Sequence, residues 1–236
     1  MKKIIHKADS RGYANHIWLE ARHTFSFASY YNPERTHFGK LRVLNDDIIA
    51  PKMGFGTHPH DNMEIVTIPL RGALEHKDSM GNSSVIRQSE VQIMSAGTGI
   101  LHSEFNHSPD EEINLLQIWV FPKERDIKPR YDQKVFDSSN RVNKFQTVVS
   151  AKKEDKEAVW INQDAYFSLG NFDKNLESEY KIQHKGNGAY LFVIEGKVEV
   201  DGEILEKRDG IELTDLESVK FNNLDKTEIL IIEVPT

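Results

Sequence analysis

Residues 190–205 read YLFVIEGKVEVDGEIL, and the fold class of the chain follows from this stretch. The apolar run 190–194 ends at Gly196, and the alternating run 198–200 ends at Asp201-Gly202. An Asp-Gly pair between two such runs is a strong signal for a two-residue hairpin turn, because both turn positions favour a positive φ. The stretch therefore predicts a buried strand, a turn and a tight hairpin.

Similar runs recur along the rest of the chain, each bounded by Gly, Asn or Asp. They are residues 65–68 (IVTI), 91–94 (VQIM), 115–121 (LLQIWVF) and 229–234 (ILIIEV). Long stretches with the 3.6-residue period of an amphipathic helix are missing. Many short strands at regular spacing predict an all-β protein built as a sandwich or barrel.

The two halves of the chain resemble one repeated unit. The run that begins at Ile65 turns at Gly72, and the run that begins at Tyr190 turns at Gly196. A repeat of roughly a hundred residues is too long for a solenoid and fits two stacked barrels. We expect a link within residues 128–140, where proline and polar residues collect, and hence domains at 1–130 and 131–236.

Composition excludes several classes of function. The net charge is −7 and no cluster of Lys and Arg stands out, which argues against direct binding to nucleic acid. No apolar run approaches the roughly 20 residues of a membrane span, and the first nine residues lack the apolar core of a signal peptide. We therefore expect a cytoplasmic protein. Cysteine is absent, which rules out thiolate ligands and disulfides.

Two segments have the residues of a metal site. Residues 54–60, GFGTHPH, contain His58 and His60, and residues 96–104, AGTGILHSE, contain His102 and Glu104. Side chains at i and i+2 of a strand project to the same face, so each segment can offer two ligands to one ion. Pro59 cannot donate a ladder hydrogen bond, which places its strand at a barrel mouth or sheet edge.

Three imidazoles and one carboxylate suit Fe(II), Mn(II), Ni(II), Cu(II) or Zn(II). We favour an open octahedral site over a closed structural zinc site, because four protein ligands leave positions for substrate and O2. The spacing alone leaves the carboxylate open, since Glu64 follows His60 by four residues and could replace Glu104. His76 and His107 are further rivals, which we interpret as supporting or surface residues.

These residues resemble a known family. His58, His60, Glu64 and Gly72 are similar to the first cupin motif, and Gly99, His102 and Asn106 to the second. Residues 97–104, together with the His-Pro-His at 58–60, resemble pirin more narrowly. So do residues 22–31 (RHTFSFASYY) and 38–47 (FGKLRVLNDD). The resemblance is close over residues 11–125 and only cupin-like beyond.

The resemblance to pirins implies a bicupin, in which two jelly-roll barrels, each a double-stranded β-helix, are stacked. It implies that Glu104 rather than Glu64 is the carboxylate ligand. It also implies one mononuclear divalent transition metal, with Fe(II) favoured and Ni, Mn, Cu, Co or Zn compatible.

The compact bacterial members of the family suggest an oxidoreductase of the quercetin 2,3-dioxygenase type, acting on a flavonol-like aromatic substrate and O2. Glu104 would then be the catalytic base for the substrate hydroxyl, and Phe25, Phe27 and Phe55 are candidate pocket walls. The alternatives are a metal- or redox-dependent regulator that binds a protein partner, and a small-metabolite cupin with a structural metal.

The second half does not repeat the ligand set. Aligning Gly196 on Gly72 puts His184 at His60 and Ile182 at His58. In the other segment, aligning Thr214 on Ser95 puts Phe221 and Asn223 where His102 and Glu104 stand. One histidine cannot hold an ion, so we predict a single site, in the first barrel.

Overall fold

Twenty-two β-strands and two short 3-10 helices form the regular structure of the chain. The structure is a computed structural model and describes residues 1–236. The 3-10 helices span Ala8–Ser10 and Ser138–Arg141. Neither these nor any other helix has the length and apolar character needed to cross a membrane.

The strands follow one another along the chain from Lys2 to Pro235. Those up to residue 135 are β1 Lys2–His6, β2 Gly12–Asn15, β3 Leu19–His23, β4 Leu41–Ile49, β5 Gly54–His60, β6 Glu64–Arg71, β7 Ala73–Asp78, β8 Ser83–Arg87, β9 Glu90–Ser95, β10 Ile100–Asn106, β11 Ile113–Val120 and β12 Arg130–Val135. Those that follow are β13 Phe145–Ser150, β14 Val159–Trp160, β15 Tyr166–Phe172, β16 Glu177–Lys181, β17 Asn187–Glu195, β18 Lys197–Val200, β19 Glu203–Glu206, β20 Gly210–Thr214, β21 Ser218–Asn223 and β22 Thr227–Pro235.

The strands form two barrels, each made of a seven-stranded and a four-stranded sheet. The first barrel has the strand orders β12-β9-β6-β11-β4-β3-β2 and β5-β10-β7-β8. The second has β1-β20-β17-β22-β15-β13-β14 and β16-β21-β18-β19. The two sets correspond strand for strand, which confirms the predicted all-β architecture of two stacked cupin-type barrels.

The edge strands of the two large sheets come from different parts of the chain. β12 pairs with β9 of the first barrel. β1, at the start of the chain, pairs instead with β20 of the second barrel, with Ile4 opposite Glu212. The first residues of the chain therefore complete the second barrel. The domain boundary at 130/131 stays a prediction.

The turns that the sequence indicated are present. Val200 pairs with Glu203 across the β18–β19 hairpin, and Asp201 and Gly202 have φ values of 48° and 77°. These positive angles are what a tight two-residue hairpin requires. Gly72 and Gly196 occupy equivalent turns, with φ values of 83° and 88°.

The barrels pack through their large sheets. The largest apolar cluster contains 25 buried residues and draws on both halves of the chain. Along β11, Leu116, Ile118 and Val120 belong to this shared core, while Gln117 and Trp119 line a pocket inside the first barrel. This alternation follows from the two-residue period of a strand, and it determines which side chains can reach an interior site.

Candidate metal centre

Two adjacent strands bring the three predicted histidines together. β5 and β10 are antiparallel, with His58 opposite His102 and His60 opposite Ile100. The ring centroids lie 4.4 Å apart for His58 and His102, 4.9 Å for His58 and His60, and 4.8 Å for His60 and His102. One ligand nitrogen of each lies within 4.8 Å of the others. β5 is the edge strand of its sheet, which confirms the position predicted from Pro59.

Glu104 lies deeper in the same barrel. The register between β10 and β5 shifts between His102 and Glu104, so a β-bulge separates these two residues. The Glu104 side chain is almost fully buried, and its carboxylate accepts hydrogen bonds of 3.0 and 3.3 Å from Nε2 of Gln117. One carboxylate oxygen of Glu104, one ring nitrogen of His102 and one ring nitrogen of His76 all lie within 4.8 Å of one another. All four residues singled out from the sequence line one pocket.

The rival carboxylate points elsewhere. Glu64 accepts a hydrogen bond of 2.7 Å from Oγ of Ser95 and one of 3.1 Å from the backbone N of Asn162. Glu64 therefore connects the first barrel to a residue of the second. It is not among the residues that line the pocket.

The rival histidines differ from each other. His76 is fully buried behind His102, with ring centroids 5.3 Å apart, and its Nε2 lies 3.2 Å from Asp78. His76 itself does not line the pocket, whereas His102 and Glu104, with which it groups, both do. His107 is half-exposed and lies 3.7 Å from Glu75, away from the other histidines.

The unpaired atoms of the site fit a cation. Nδ1 and Nε2 of His102 are both buried without a hydrogen-bond partner, which is costly unless another group satisfies them. Nδ1 of His58 lies 2.8 Å from the carbonyl oxygen of Gly56. If Nδ1 donates this hydrogen bond, Nε2 keeps its lone pair free, as is usual for metal-binding histidines.

The protonation states also fit a cation. Burial lowers the pKa of His102 to about 2 and the pKa of His60 to about 4, and the neighbouring imidazoles add to both shifts. The imidazoles of His60 and His102 are therefore neutral at physiological pH, which is the form that binds metals. Burial raises the pKa of Glu104 to about 7. A divalent ion would favour the ionised carboxylate.

Aromatic side chains form the walls of the pocket, whose volume is about 400 Å³. Trp18 and Phe55 meet edge to face with centroids 5.2 Å apart, and Phe27 and Trp119 do so at 5.3 Å. Phe27 and Phe55 were predicted as walls and do line the pocket. Phe25 does not, because its ring is 1% exposed and packs in the core between the barrels.

Sequence analysis missed several residues of this pocket. Trp18, Asn45, Asp47, Gln117 and Trp119 all line it. Four of them form i, i+2 pairs on the buried strands β4 and β11. The sequence does contain a signal for them. Polar residues at alternate positions of an otherwise apolar strand indicate that one face of the strand lines a polar site and does not pack in the apolar core.

The register of the second barrel corrects the predicted alignment of the two halves. Glu104 pairs with His76, four residues after Gly72, and Phe221 pairs with Val200, four residues after Gly196. Phe221 is therefore the counterpart of Glu104, not of His102.

Two further counterparts follow from the same register. Val219, which pairs with Tyr180 as His102 pairs with His58, corresponds to His102. Tyr180 then corresponds to His58, and Ile182, two residues on, to His60. His184 lies beyond these positions, because strand pairing shifts the alignment by two residues.

Comparison with known proteins agrees with this architecture. Residues 5–120 match the family model described as Pirin, and residues 147–234 match the one described as Quercetinase C-terminal cupin domain. The chain is 41% identical to the quercetin 2,3-dioxygenase of Escherichia coli (strain K12) over 231 residues, covering 98% of both chains. It is 40% identical to a pirin-like protein of Caulobacter vibrioides over 225 residues, covering 95% of this chain and 96% of that one.

A solved structure is equally similar. The bacterial pirin YhhW from Escherichia coli, in complex with nickel(II), superposes with a TM-score of 0.93 at 40% identity, over 99% of both chains. Sequence similarity over nearly the full length, the paired barrels and the two matching family models lead to one conclusion: the chain belongs to the pirin family.

Proposed function

We propose that this protein is a metal-dependent dioxygenase that cleaves a flavonol or a related enediol with O2, as quercetin 2,3-dioxygenases do. One observation carries the proposal: three imidazoles, one of them with both ring nitrogens unpaired, and a buried carboxylate line one pocket with aromatic walls. The name of the 41% identical relative supports the same reaction class.

His58, His60, His102 and Glu104 are the proposed ligands of a single divalent transition ion, with Fe(II) as the favoured metal. The nickel(II) complex of the related bacterial pirin supports a divalent ion in this fold. When bound, such an ion supplies Lewis-acid and redox chemistry at the substrate hydroxyl and at O2.

Glu104 is the proposed base. Its Oε atoms would accept the proton of the substrate 3-hydroxyl, and the Gln117 amide, which donates to both oxygens, would hold the carboxylate in place. Burial alone raises the pKa of Glu104 to about 7, and a bound divalent ion would favour the ionised carboxylate, which is the form that accepts a proton. No other carboxylate in the pocket has a hydrogen-bond donor of this kind.

The pocket walls would orient the substrate. The two edge-to-face pairs, Trp18 with Phe55 and Phe27 with Trp119, offer flat surfaces to a planar ring system and exclude water from the carboxylate. Nε1 of Trp119 is buried without an acceptor, which leaves its N–H able to donate to a substrate oxygen. The volume of about 400 Å³ lies within the range of small-molecule sites.

The test is anaerobic loading with Fe(II), followed by addition of quercetin and O2. We expect the flavonol absorbance to disappear and carbon monoxide to form. Glu104→Gln should slow turnover by a factor of about a hundred or more, because the general base is lost. If the wild type binds a full equivalent of metal yet neither consumes the flavonol nor releases carbon monoxide, the proposed reaction is wrong.

A matched pair of histidine variants separates the site from the rest of the barrel. His58→Ala removes a proposed ligand, whereas His107→Ala removes a half-exposed imidazole on the adjacent loop. We expect the first to lose activity and metal and the second to keep both. Equal activity of the two variants would contradict the ligand assignment.

A further inference from the structure

The pocket of the metal centre contains a second carboxyl group, that of Asp47 on β4. Asp47 is 5% exposed, and it is not among the residues whose ligand atoms converge on a possible ion. Its Oδ1 is buried without a hydrogen-bond partner. Its Oδ2 makes no hydrogen bond or ion pair either, but it keeps accessible surface. Because Asp47 lines the pocket, Oδ2 is the atom that a bound molecule can reach.

The neighbours of Asp47 in the sheet are apolar. Asp47 pairs with Ala21 on β3 and with Leu115 on β11, and both belong to the apolar cluster inside the first barrel. A carboxyl group in such surroundings costs free energy unless a hydrogen bond satisfies it. The strands beside Asp47 offer no such bond, so the stability of the barrel does not explain why this position carries a carboxyl group.

No cation pairs with this carboxyl group. The preceding residue, Asp46, projects to the opposite face of β4, where Nη2 of Arg11 and Nε of Arg208 each lie 3.5 Å from its Oδ2. Burial raises the pKa of Asp47 well above its ordinary value, and the charges of Asp46 and Glu104 add to this shift while Arg11 opposes it. The nearest cations therefore serve Asp46, and Asp47 has no partner of its own.

The other amide and carboxyl groups that line the pocket have partners in the protein. The amide of Gln117 donates to the carboxylate of Glu104. Oδ1 of Asn45, two residues before Asp47 on the same face of β4, lies 3.0 Å from Nδ1 of His23. Asp47 is therefore the carboxyl group of the pocket that is left for a ligand.

The second barrel shows that the fold does not need a side chain at this position. Asp47 pairs with Leu115 on β11, and Gly170 pairs with Ile229 on β22 at the equivalent register of the second barrel. Gly170 has no side chain, and aromatic rings occupy the space beside it. The carboxyl group thus occurs in the barrel that keeps a cavity and is absent from the barrel whose interior is filled.

We propose that Asp47 binds a hydroxyl group of the substrate other than the one at the metal, so that the pocket selects polyhydroxylated aromatic compounds. The inference rests on the proposed function, because it takes the 3-hydroxyl of a flavonol as the group at the metal. A hydroxyl both donates and accepts, so it pairs with the carboxyl group in either protonation state. A site with a buried polar group discriminates against analogues that lack its partner.

The test is anaerobic calorimetric titration of the Fe(II)-loaded protein with quercetin and, separately, with 3-hydroxyflavone, which has no hydroxyl besides that at position 3. We expect the wild type to bind quercetin at least about tenfold more tightly. Asp47→Ala should lose most of this preference and leave the affinity for 3-hydroxyflavone nearly unchanged. Asp110→Ala is the control, because Asp110 is an exposed aspartate outside the pocket.

Thermal unfolding of the free protein separates ligand binding from a structural role. Removing an unpaired buried carboxyl group should leave the unfolding temperature unchanged or raise it. Asp47→Asn, which keeps the shape of the side chain, replaces the alanine variant if the latter does not fold, and it should lose part of the preference. A fall of more than about 5 °C in both variants would overturn the proposal, because Asp47 would then support the fold.

The binding measurement distinguishes this proposal from the proposed reaction. A wild type without a preference, or a preference that both Asp47 variants keep, would overturn the role of Asp47 even if quercetin is cleaved. An Asp47-dependent preference without turnover would support that role and contradict the reaction. If neither flavonol binds, both proposals are wrong.

Discussion

In the first barrel, the space enclosed by β4, β5, β10 and β11 holds imidazoles, carboxyl groups and two amides. In the second barrel the equivalent space is packed with aromatic rings. The ring of Phe145 packs against those of Phe172, Tyr180 and Phe221 there, and Phe172 also packs against Phe221, with ring centroids 5.1–5.9 Å apart. The strand orders are the same, so the contrast between the two interiors comes mainly from the side chains that face inward.

Individual positions show how the two interiors differ. Gln117 pairs with Asn45, and its counterpart Ile231 pairs with Ser168, so an amide that serves Glu104 is replaced by an apolar side chain. On β15, Gly170 makes room for the rings, since a Cβ there would lie 2.5 Å from Phe172 and 3.0 Å from Phe145. One barrel therefore keeps a cavity and polar groups, whereas the other fills its interior.

The comparison predicts that only the first barrel holds a metal, and the largest expected effect tests this. His60→Ala should abolish stoichiometric binding, because it removes one of three converging imidazoles. Val219→Ala, at the second-barrel counterpart of His102, should leave the metal content unchanged. Elemental analysis of both purified variants provides the measurement. If the His60→Ala variant still bound one equivalent of metal, the prediction that the metal is held by the first barrel's histidines would be wrong.

The next effect concerns stability and is expected in the second barrel. Phe221→Ala should lower the free energy of unfolding by about 3–5 kcal/mol, because it leaves a cavity among packed rings. Phe105→Ala on β10 is the control, since that ring is 38% exposed and should cost far less. Urea denaturation measures both variants. A loss below about 1 kcal/mol for Phe221→Ala would mean that the aromatic packing does not support this barrel.

A smaller effect, on metal affinity, is expected when Gln117 of the first barrel is replaced by isoleucine, the residue at the equivalent position of the second barrel. Gln117→Ile removes the only hydrogen-bond donor to the Glu104 carboxylate, so the pKa of Glu104 should rise further and protons should compete better with the metal. We expect metal affinity at pH 7 to fall about tenfold and to recover partly at about pH 8.5. Chelator competition at the two pH values measures it. Unchanged affinity at pH 7 would show that Gln117 does not tune the carboxylate.

The smaller of the two effects on stability concerns the edge strand that the N-terminus contributes to the second barrel. Burial raises the pKa of Glu212 to about 7, above the ordinary value of 4.5. The folded state therefore binds an extra proton between these values, and stability is lost as the pH rises through this window. Burial lowers the pKa of His6, 3.4 Å away, to about 4, so this imidazole does not add a compensating charge at higher pH.

The corresponding variant is Glu212→Gln, which cannot ionise. Relative to the wild type, its stability should increase by roughly 2 kcal/mol between pH 5 and pH 8. Unfolding curves across this range provide the measurement. A constant difference between the two proteins at all pH values would show that Glu212 does not ionise in the folded barrel within this range.

Much of this architecture was predictable from short segments. Asp201-Gly202 specifies its hairpin because two adjacent residues must take positive φ. The His-x-His at 58–60 specifies a shared face because strands have a period of two. The family resemblance then favoured Glu104 over Glu64, and the structure shows why Glu64 is otherwise engaged, at Ser95 and Asn162.

Other features depend on contacts between distant residues. Aligning the two halves on the turn glycines Gly72 and Gly196 predicts that His184 is the counterpart of His60. The strands and loops of the two halves differ in length by two residues, and the sequence alone does not reveal this difference. Phe25 looked like a pocket wall because residue type alone does not tell which side of a sheet a ring occupies.

The sequence by itself therefore determined the all-β class, the two-barrel organisation and the three histidines, because turn angles and strand periodicity act over a few neighbouring residues. Only the tertiary structure decided three other features: the pairing of β1 with β20 some 200 residues away, the aromatic pocket that Trp18 and Trp119 complete, and the shared carboxylate of Arg11 and Arg208. Each of these depends on strand register and on the packing of one barrel against the other, which no local pattern encodes.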